Sequence, residues 1–317
     1  MQKWHEEAGM NGFILSYVAD WWSPRKIIFE NYKVLTEINK KGIHYGLDSN
    51  FIKVALGYRE LPNWTDDLVW EDILDNFRDI AELIKTTGTK GIAIDTEPYK
   101  IPLFDSKAKR FKNINKELLK TAIYKRGRQI MQSITEVFPE IEVIILPEGA
   151  FYWFNQNQGQ HPSYYELWID FFNGMVSVKN KKGIILASER TYSVLNKNYL
   201  NTIYDLINKT MLEHIEDPVF WKMNCSIAIG MWPLGGKTYS DKSARYSSVD
   251  FKRQFIHAKA LCTKYVWIYG NGADWWQMNY KELKKYTVKG RKIWGKEYQT
   301  IPTDPAIMEY YSVVKEN

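Results

Sequence analysis

The sequence predicts a single-domain α/β protein, a (β/α)8 TIM barrel that spans residues 1–317. Three observations support this fold. Short apolar segments alternate strictly with longer amphipathic ones, no linker rich in Pro, Gly or Ser interrupts them, and 317 residues suit a barrel of about 250 residues with extended loops. An open doubly wound sheet is the alternative, but the Gly-x-Gly-x-x-Gly fingerprint of its dinucleotide-binding versions is absent after the first strand.

The apolar runs predict the strands, and the amphipathic segments between them predict the helices. Strands are expected at 12–17, 44–48, 91–97, 142–148, 183–189, 225–231 and 265–270. Helices are expected at 26–41, 66–86, 115–137, 162–178, 198–214, 249–263 and 280–294. Such alternation implies a parallel sheet covered by helices.

The start of the chain predicts that one strand is missing. Residues 1–10 resemble the last turns of a helix that ends at Asn11 and Gly12, yet no strand precedes that helix. We therefore expect an N-terminal truncation that removed the first strand, together with any export signal of a secreted or periplasmic protein. On this count, 91–97 is the fourth strand; closure by seven strands, or by a strand from the tail, is the alternative.

Composition narrows the classes of partner. The net charge of +6 is modest for this length, and the lysines are spread along predicted helices, often beside acids. No basic run with interleaved aromatics suggests a nucleic-acid partner. No apolar run is long enough for a membrane span. Cys225 and Cys262 lack metal-ligand spacing and are expected to be core thiols, and no cofactor is predicted. The 13 Trp and 21 Tyr favour a site where flat apolar faces meet a polar ligand.

The segment 91–97 carries the clearest functional pattern. Ile92 and Ile94 face one side of this strand, while Asp95 and Glu97 face the other side, where positions 91 and 93 hold only Gly and Ala. Burying two carboxylates is costly without compensation, so a functional role is favoured. Asp95 can orient Glu97 or repel it, and repulsion would raise one pKa enough for a general acid near neutral pH.

Other polar and aromatic residues follow the predicted strands, at the edge where barrels place their active sites. Asp48, Glu148 and Glu189 are the further acids. The candidate substrate-binding residues are Trp21, Trp22, Tyr99, Trp153, Tyr192, Trp232, Trp267, Tyr269, Asn271, Trp275 and Trp276, together with Asp48. Each has a structural alternative: Asp48 could cap a turn, Glu189 could pair with Arg190, and the Trp residues could anchor loops.

Residues 91–99, Gly-Ile-Ala-Ile-Asp-Thr-Glu-Pro-Tyr, resemble the strand-4 signature of family 18 chitinase-like glycoside hydrolases, Asp-Gly-x-Asp-x-Asp-x-Glu-x-Pro or a close variant. The resemblance implies that Glu97 is the acid and that Asp95 assists the N-acetyl group of the substrate. Lys90 and Ala93 occupy the earlier acidic positions, and Trp267 matches the Trp that floors the sugar site on strand 8. The likeness covers nine residues and that Trp; more broadly, the chain resembles a barrel glycoside hydrolase of an uncharacterised group.

The leading hypothesis is a glycoside hydrolase acting on an oligo- or polysaccharide. Glu97 would be the acid/base, Asp95 its support, and Glu148 or Glu189 the second carboxylate; Asp95 as nucleophile with Glu148 as acid is a variant. The first alternative is a metal-dependent sugar isomerase or epimerase that binds Mg²⁺ or Mn²⁺ through acids at the strand ends, although no His is predicted there. The second is a non-catalytic carbohydrate-binding barrel.

Overall fold

The computed structural model describes residues 2–19, 30–55, 63–98, 102–159, 163–233, 246–270 and 307–317. Within these residues, seven strands form one parallel sheet whose order follows the chain. The strands are β1 (Ile14–Ala19), β2 (Phe51–Ala55), β3 (Gly91–Asp95), β4 (Glu142–Leu146), β5 (Ile184–Ser188), β6 (Ser226–Met231) and β7 (Val266–Ile268). The predicted alternation and parallel arrangement are therefore confirmed.

The helices cover the outer face of this sheet. They are α1 (Gln2–Glu6), α2 (Glu30–His44), α3 (Asp67–Thr87), α4 (Lys116–Val137), α5 (Ala150–Asn157), α6 (Trp168–Val176), α7 (Lys197–His214), α8 (Pro218–Asn224), α9 (Ser248–Leu261) and α10 (Ile307–Glu316). Side chains that favour helix starts stand at the caps: Asp66, for example, accepts the Val69 N–H at the start of α3. No helix in the described ranges is both long enough and apolar enough to cross a membrane.

The sheet is curled, because residues from all seven strands share one interior cluster. The cluster contains Phe51, Ala93, Ile144, Leu146, Ile185, Ala187 and Ala228, with Ile14, Tyr265 and Trp267 packed against it. The Phe51 ring of β2 contacts the Tyr265 ring, which immediately precedes β7, with centroids 5.6 Å apart. Tyr265 also donates a hydrogen bond of 2.9 Å to Glu142 at the start of β4. The architecture is a curled, partial barrel, and the described residues contain no eighth strand.

The outer face of the sheet packs against α3, α4 and α6 through the largest hydrophobic cluster, which includes Ile92 and Ile94. A second cluster joins β6 to α9 and α10 and reaches Ala8 near the start of the chain. The inward and outward faces of β3 are thus the ones that its alternating sequence predicts.

Three expected elements need correction or lie outside the described residues. The strand expected at 44–48 is wrong, since α2 continues to His44 and the strand begins at Phe51. The single helix expected at 162–178 is also wrong, because α6 begins only at Trp168. The helices α5, α8 and α10 were not expected. The helix expected at 280–294 lies outside the described residues.

Candidate active site

Three adjacent strands deliver carboxylates to one edge of the curled sheet. Asp95 at the end of β3 is in register with Leu146 at the end of β4, and β4 in turn pairs in parallel with β5. Glu97 follows β3, Glu148 follows β4 after a cis Leu146–Pro147 bond, and Glu189 follows β5 directly. Each continues the inward-facing series of its strand, because Ala93, Leu146 and Ala187 belong to the interior cluster.

Asp95 is a buried charge that is compensated on both of its oxygens. The side chain is 1% exposed, and its Oδ2 lies 2.6 Å from Nζ of Lys53 on β2. Its Oδ1 accepts the backbone N–H of Glu97 at 3.0 Å. Asp95 therefore ties the segment that carries Glu97 to the neighbouring strand, and its charge is balanced by a cation that the sequence analysis did not identify.

Glu148 is a buried acid without such compensation. Its side chain is inaccessible to solvent, and neither carboxyl oxygen has a hydrogen-bond partner of ordinary geometry among the described residues. Burial raises its pKa to about 7, and the nearby Ser188 hydroxyl and the N–H groups of Glu189 and Phe151 offset this only in part. Glu148 thus holds a proton in the weakly acidic range and is about half protonated near pH 7.

Glu189 combines burial with negative neighbours. Burial contributes most to raising its pKa to about 8, the charges of Glu97 and Asp95 add to the rise, and Lys53 opposes it. These four side chains therefore share one electrostatic environment. The sequence analysis placed the perturbed carboxylate within the Asp95–Glu97 pair; the structure gives Asp95 a cation as partner and raises the pKa values of Glu148 and Glu189.

An aromatic wall, defined as Tyr192, Trp232, Trp267 and Tyr269, lies beside Glu189. Tyr192 contacts the other three rings at centroid distances of 5.8, 5.2 and 5.2 Å, respectively. Burial, and then the charge of Glu189, raises the pKa of Tyr192 well above its usual value. Trp267 lies over Gly230, where a Cβ would stand 2.8 Å from the indole. Four predicted binding residues are thus brought together next to a predicted catalytic residue.

Two further tyrosines lie on the side of Glu148. Tyr152 and Tyr165 stack with centroids 4.9 Å apart. Burial raises the pKa of both, and Glu97, Glu148 and Glu189 all add to the rise. The sequence analysis did not select either tyrosine as a site residue, since the rings come together only through the turn at Ser163–Tyr165.

Some predicted residues lie elsewhere. Asp48 precedes β2 instead of following a strand, so it lies at the opposite edge of the sheet, is exposed and accepts the Ser49 hydroxyl. Its expected place beside the other acids is wrong, because the strand was assigned too early. Trp153 donates its indole N–H to the Glu166 carbonyl at 3.1 Å and packs on the His214 ring, which anchors α5. Trp21, Trp22, Tyr99, Asn271, Trp275 and Trp276 lie outside the described residues.

The site residue that the sequence analysis missed most clearly is Lys53. It occupies the middle of the run Phe51-Ile-Lys-Val-Ala, where alternation places it on the same face as Phe51. That pattern was the available signal. As for metals, the described ranges contain no group of three His, Cys, Asp or Glu side chains arranged to hold an ion.

No protein-family model and no curated protein matches this sequence. Among solved structures, the chain is similar to the crystal structure of a GH18 chitinase from Pseudoalteromonas aurantia, with 11% sequence identity, 74% of each chain covered and a TM-score of 0.40. Similarity of this degree shows neither a shared family nor a shared reaction.

Proposed function

We propose that this protein is a glycoside hydrolase that acts on an oligo- or polysaccharide from a (β/α)8-type barrel. The observation that carries the proposal is the convergence of Glu97, Glu148 and Glu189 from three consecutive parallel strands beside the aromatic wall. Glycoside hydrolysis needs two carboxyl groups in different protonation states, and aromatic rings suit the apolar faces of sugars.

Glu189 is the proton donor in this proposal. With a pKa of about 8, it is mostly protonated at neutral pH and can give its proton to the leaving glycosidic oxygen. Glu97 is the second carboxylate, partly exposed and held through its backbone by Asp95. Glu97 either attacks the anomeric carbon or activates the water that does so.

Glu148 is inaccessible to solvent, so in this proposal it does not contact the substrate and acts only through its charge. Because its pKa is raised to about 7, it carries less negative charge at neutral pH than an ordinary glutamate would. The leading hypothesis from the sequence, with Glu97 as the acid/base, is the competing arrangement of the same two residues.

The test begins with purified wild-type protein on a panel of neutral and amino-sugar oligosaccharides, followed by Glu189→Gln and Glu97→Gln. We expect each variant to lose about 10²- to 10⁴-fold in kcat on the substrate found. Glu213→Gln on α7 is the matched control, because its side chain is half exposed and pairs with Lys209 on the same helix. Full activity in both site variants would contradict the proposal.

Nitrophenyl glycosides show which of the two residues is the proton donor. A variant that lacks the proton donor should retain activity on a nitrophenyl glycoside, whose leaving group needs no protonation, and the variant without the second carboxylate should not. We expect Glu189→Gln to be the former. The anomeric form of the first product, followed by NMR, distinguishes retention from inversion. Tight glycan binding without turnover by the wild type would instead indicate a carbohydrate-binding barrel.

A further inference from the structure

We propose that Lys53 is a positioning residue for this reaction: it anchors Asp95, and Asp95 in turn fixes the segment that carries Glu97. The inference rests on the proposed function, because it concerns the same carboxylates. It adds a strand, β2, and a cation that the sequence reading did not include.

The register of the sheet explains how Lys53 reaches its partner. Lys53 pairs with Ala93 in the β2–β3 ladder, so Asp95 is the diagonal neighbour two residues further along β3. The lysine therefore leans toward the carboxyl edge, and its Nζ lies 2.6 Å from Oδ2 of Asp95. The register of β2 and β3 is therefore enough to bring the ammonium group of Lys53 to Asp95 at the carboxyl edge of the sheet.

The two carboxylate oxygens of Asp95 have different partners. Oδ2 meets Lys53, and Oδ1 accepts the Glu97 N–H at 3.0 Å. A charged acceptor makes this hydrogen bond stronger than a neutral one. Without Lys53, the buried charge of Asp95 would lose its partner in this ion pair, the side chain would tend to turn toward water, and the anchor on Glu97 would weaken.

The two members of this ion pair have opposite effects on the pKa of Glu189. Asp95 raises the pKa of Glu189, and Lys53 lowers it. Removing the cation should therefore move the pKa of Glu189 upward, and neutralising Asp95 should move it downward. The two shifts report the charge of the pair at Glu189, and a loss of kcat at unchanged KM reports whether the pair positions Glu97.

The experiment compares Lys53→Met, Asp95→Asn and the double variant Lys53→Met/Asp95→Asn. Lys90→Met is the matched control: Lys90 is also a cation on the sheet, but it pairs with Glu142 at the opposite edge. The ¹³C shift of the Glu189 carboxyl group, titrated by NMR, reports its pKa without any need for turnover. The pH profile of kcat/KM reports the same group on the substrate.

We expect Lys53→Met to lose about 10- to 100-fold in kcat with KM close to that of the wild type, since a small misplacement of a reacting group is enough for such a loss. Its Glu189 titration should move up, that of Asp95→Asn should move down, and the double variant should lie between them. Lys90→Met should leave both the titration and kcat unchanged.

If Lys53→Met does not fold, the double variant carries no buried unpaired charge and supplies the comparison with Asp95→Asn. The double variant should match Asp95→Asn in kcat, because Lys53 acts on Glu97 through Asp95. Unchanged titration and kcat in Lys53→Met, or a further loss of kcat in the double variant relative to Asp95→Asn, would overturn the inference while leaving the proposed function intact. Full activity of Glu97→Gln and Glu189→Gln would instead remove the proposed function.

Discussion

The ring of Tyr192 stacks on the ring of Tyr269, with centroids 5.2 Å apart and an interplanar angle of 9°. Tyr192 lies four residues beyond β5, and Tyr269 directly follows β7, so the stack bridges β6, which lies between these strands. Trp232, which follows β6, meets Tyr269 at 5.1 Å. The aromatic wall is thus built from residues that lie at or beyond the ends of three successive strands, and its rings pack against one another.

Tyr269→Ala should weaken binding of the oligosaccharide substrate because it removes one face of this stack and frees Tyr192. We expect KM to rise about tenfold, equivalent to about 1.4 kcal/mol, with a smaller change in kcat. Steady-state kinetics measures this on the substrate that the oligosaccharide panel yields. Tyr45→Ala is the control, since Tyr45 lies between α2 and β2 at the other edge; an equal effect there would argue against a sugar-binding wall.

Activity should fall as the pH rises through about 8. Glu189 must carry its proton to act as the donor, and its pKa is raised to about 8, so the basic limb of kcat/KM for the free enzyme should lie there. The measurement is a pH series on a glycan with a poor leaving group. A nitrophenyl glycoside should show a weaker basic limb, and a basic limb near pH 5 on both substrates would exclude Glu189 as the donor.

Glu148 should make the protein less stable as the pH rises. Its pKa is raised from about 4.5 to about 7 in the folded state, so the folded state binds more protons than the unfolded state between these values. The favourable contribution is fully present below pH 4.5 and is lost as the pH rises through about 7, a change of roughly 3 kcal/mol in the free energy of unfolding.

Glu148→Gln should remove this part of the pH dependence, because the amide resembles the protonated acid and does not ionise. Urea unfolding at pH 5 and at pH 8 measures the difference. The variant should gain stability over the wild type at pH 8 and show little gain at pH 5. Glu213→Gln should follow the wild-type curve, and a parallel curve for Glu148→Gln would contradict a buried neutral Glu148.

Gly149→Ala should destabilise the protein and disturb Glu148. Gly149 has φ of 65°, and a Cβ there would stand 2.1 Å from the Trp168 ring. Strain and overlap together should cost about 3 kcal/mol in thermal or urea unfolding. Gly159→Ala is a matched control, since its φ of 74° is similar but no atom lies within 4 Å; it should cost only about 1 kcal/mol. Equal losses would show that backbone strain alone is responsible.

The sequence was sufficient to predict the parallel sheet because most strands are apolar runs with clear boundaries. It failed at β2, where inward-facing Lys53 interrupts an otherwise apolar strand and the turn around Gly46, with φ of 80°, separates His44 from it. The short helix α5 was missed because its aromatic residues follow Glu148 directly and resemble a site loop.

The sequence predicted the placement of acids at the strand ends, but it did not predict the contacts between strands. Glu97, Glu148 and Glu189 follow from reading each strand separately. The Lys53–Asp95 pair is diagonal across two strands, and the Tyr152–Tyr165 stack joins α5 to a later turn. Such contacts depend on register and packing, which a single strand pattern does not contain.

The alternation of β3 also limits how this protein can change in length. Asp95 and Glu97 face the interior only because Gly91 pairs with Glu142 and Phe51 across the ladder. Deleting or inserting one residue at the start of β3, just after Gly91, would turn both acids toward the helices and turn Ile92 and Ile94 toward the interior. Length variation can therefore accumulate in the connecting segments, whereas the count of residues from Gly91 to Glu97 is fixed by the geometry of the sheet.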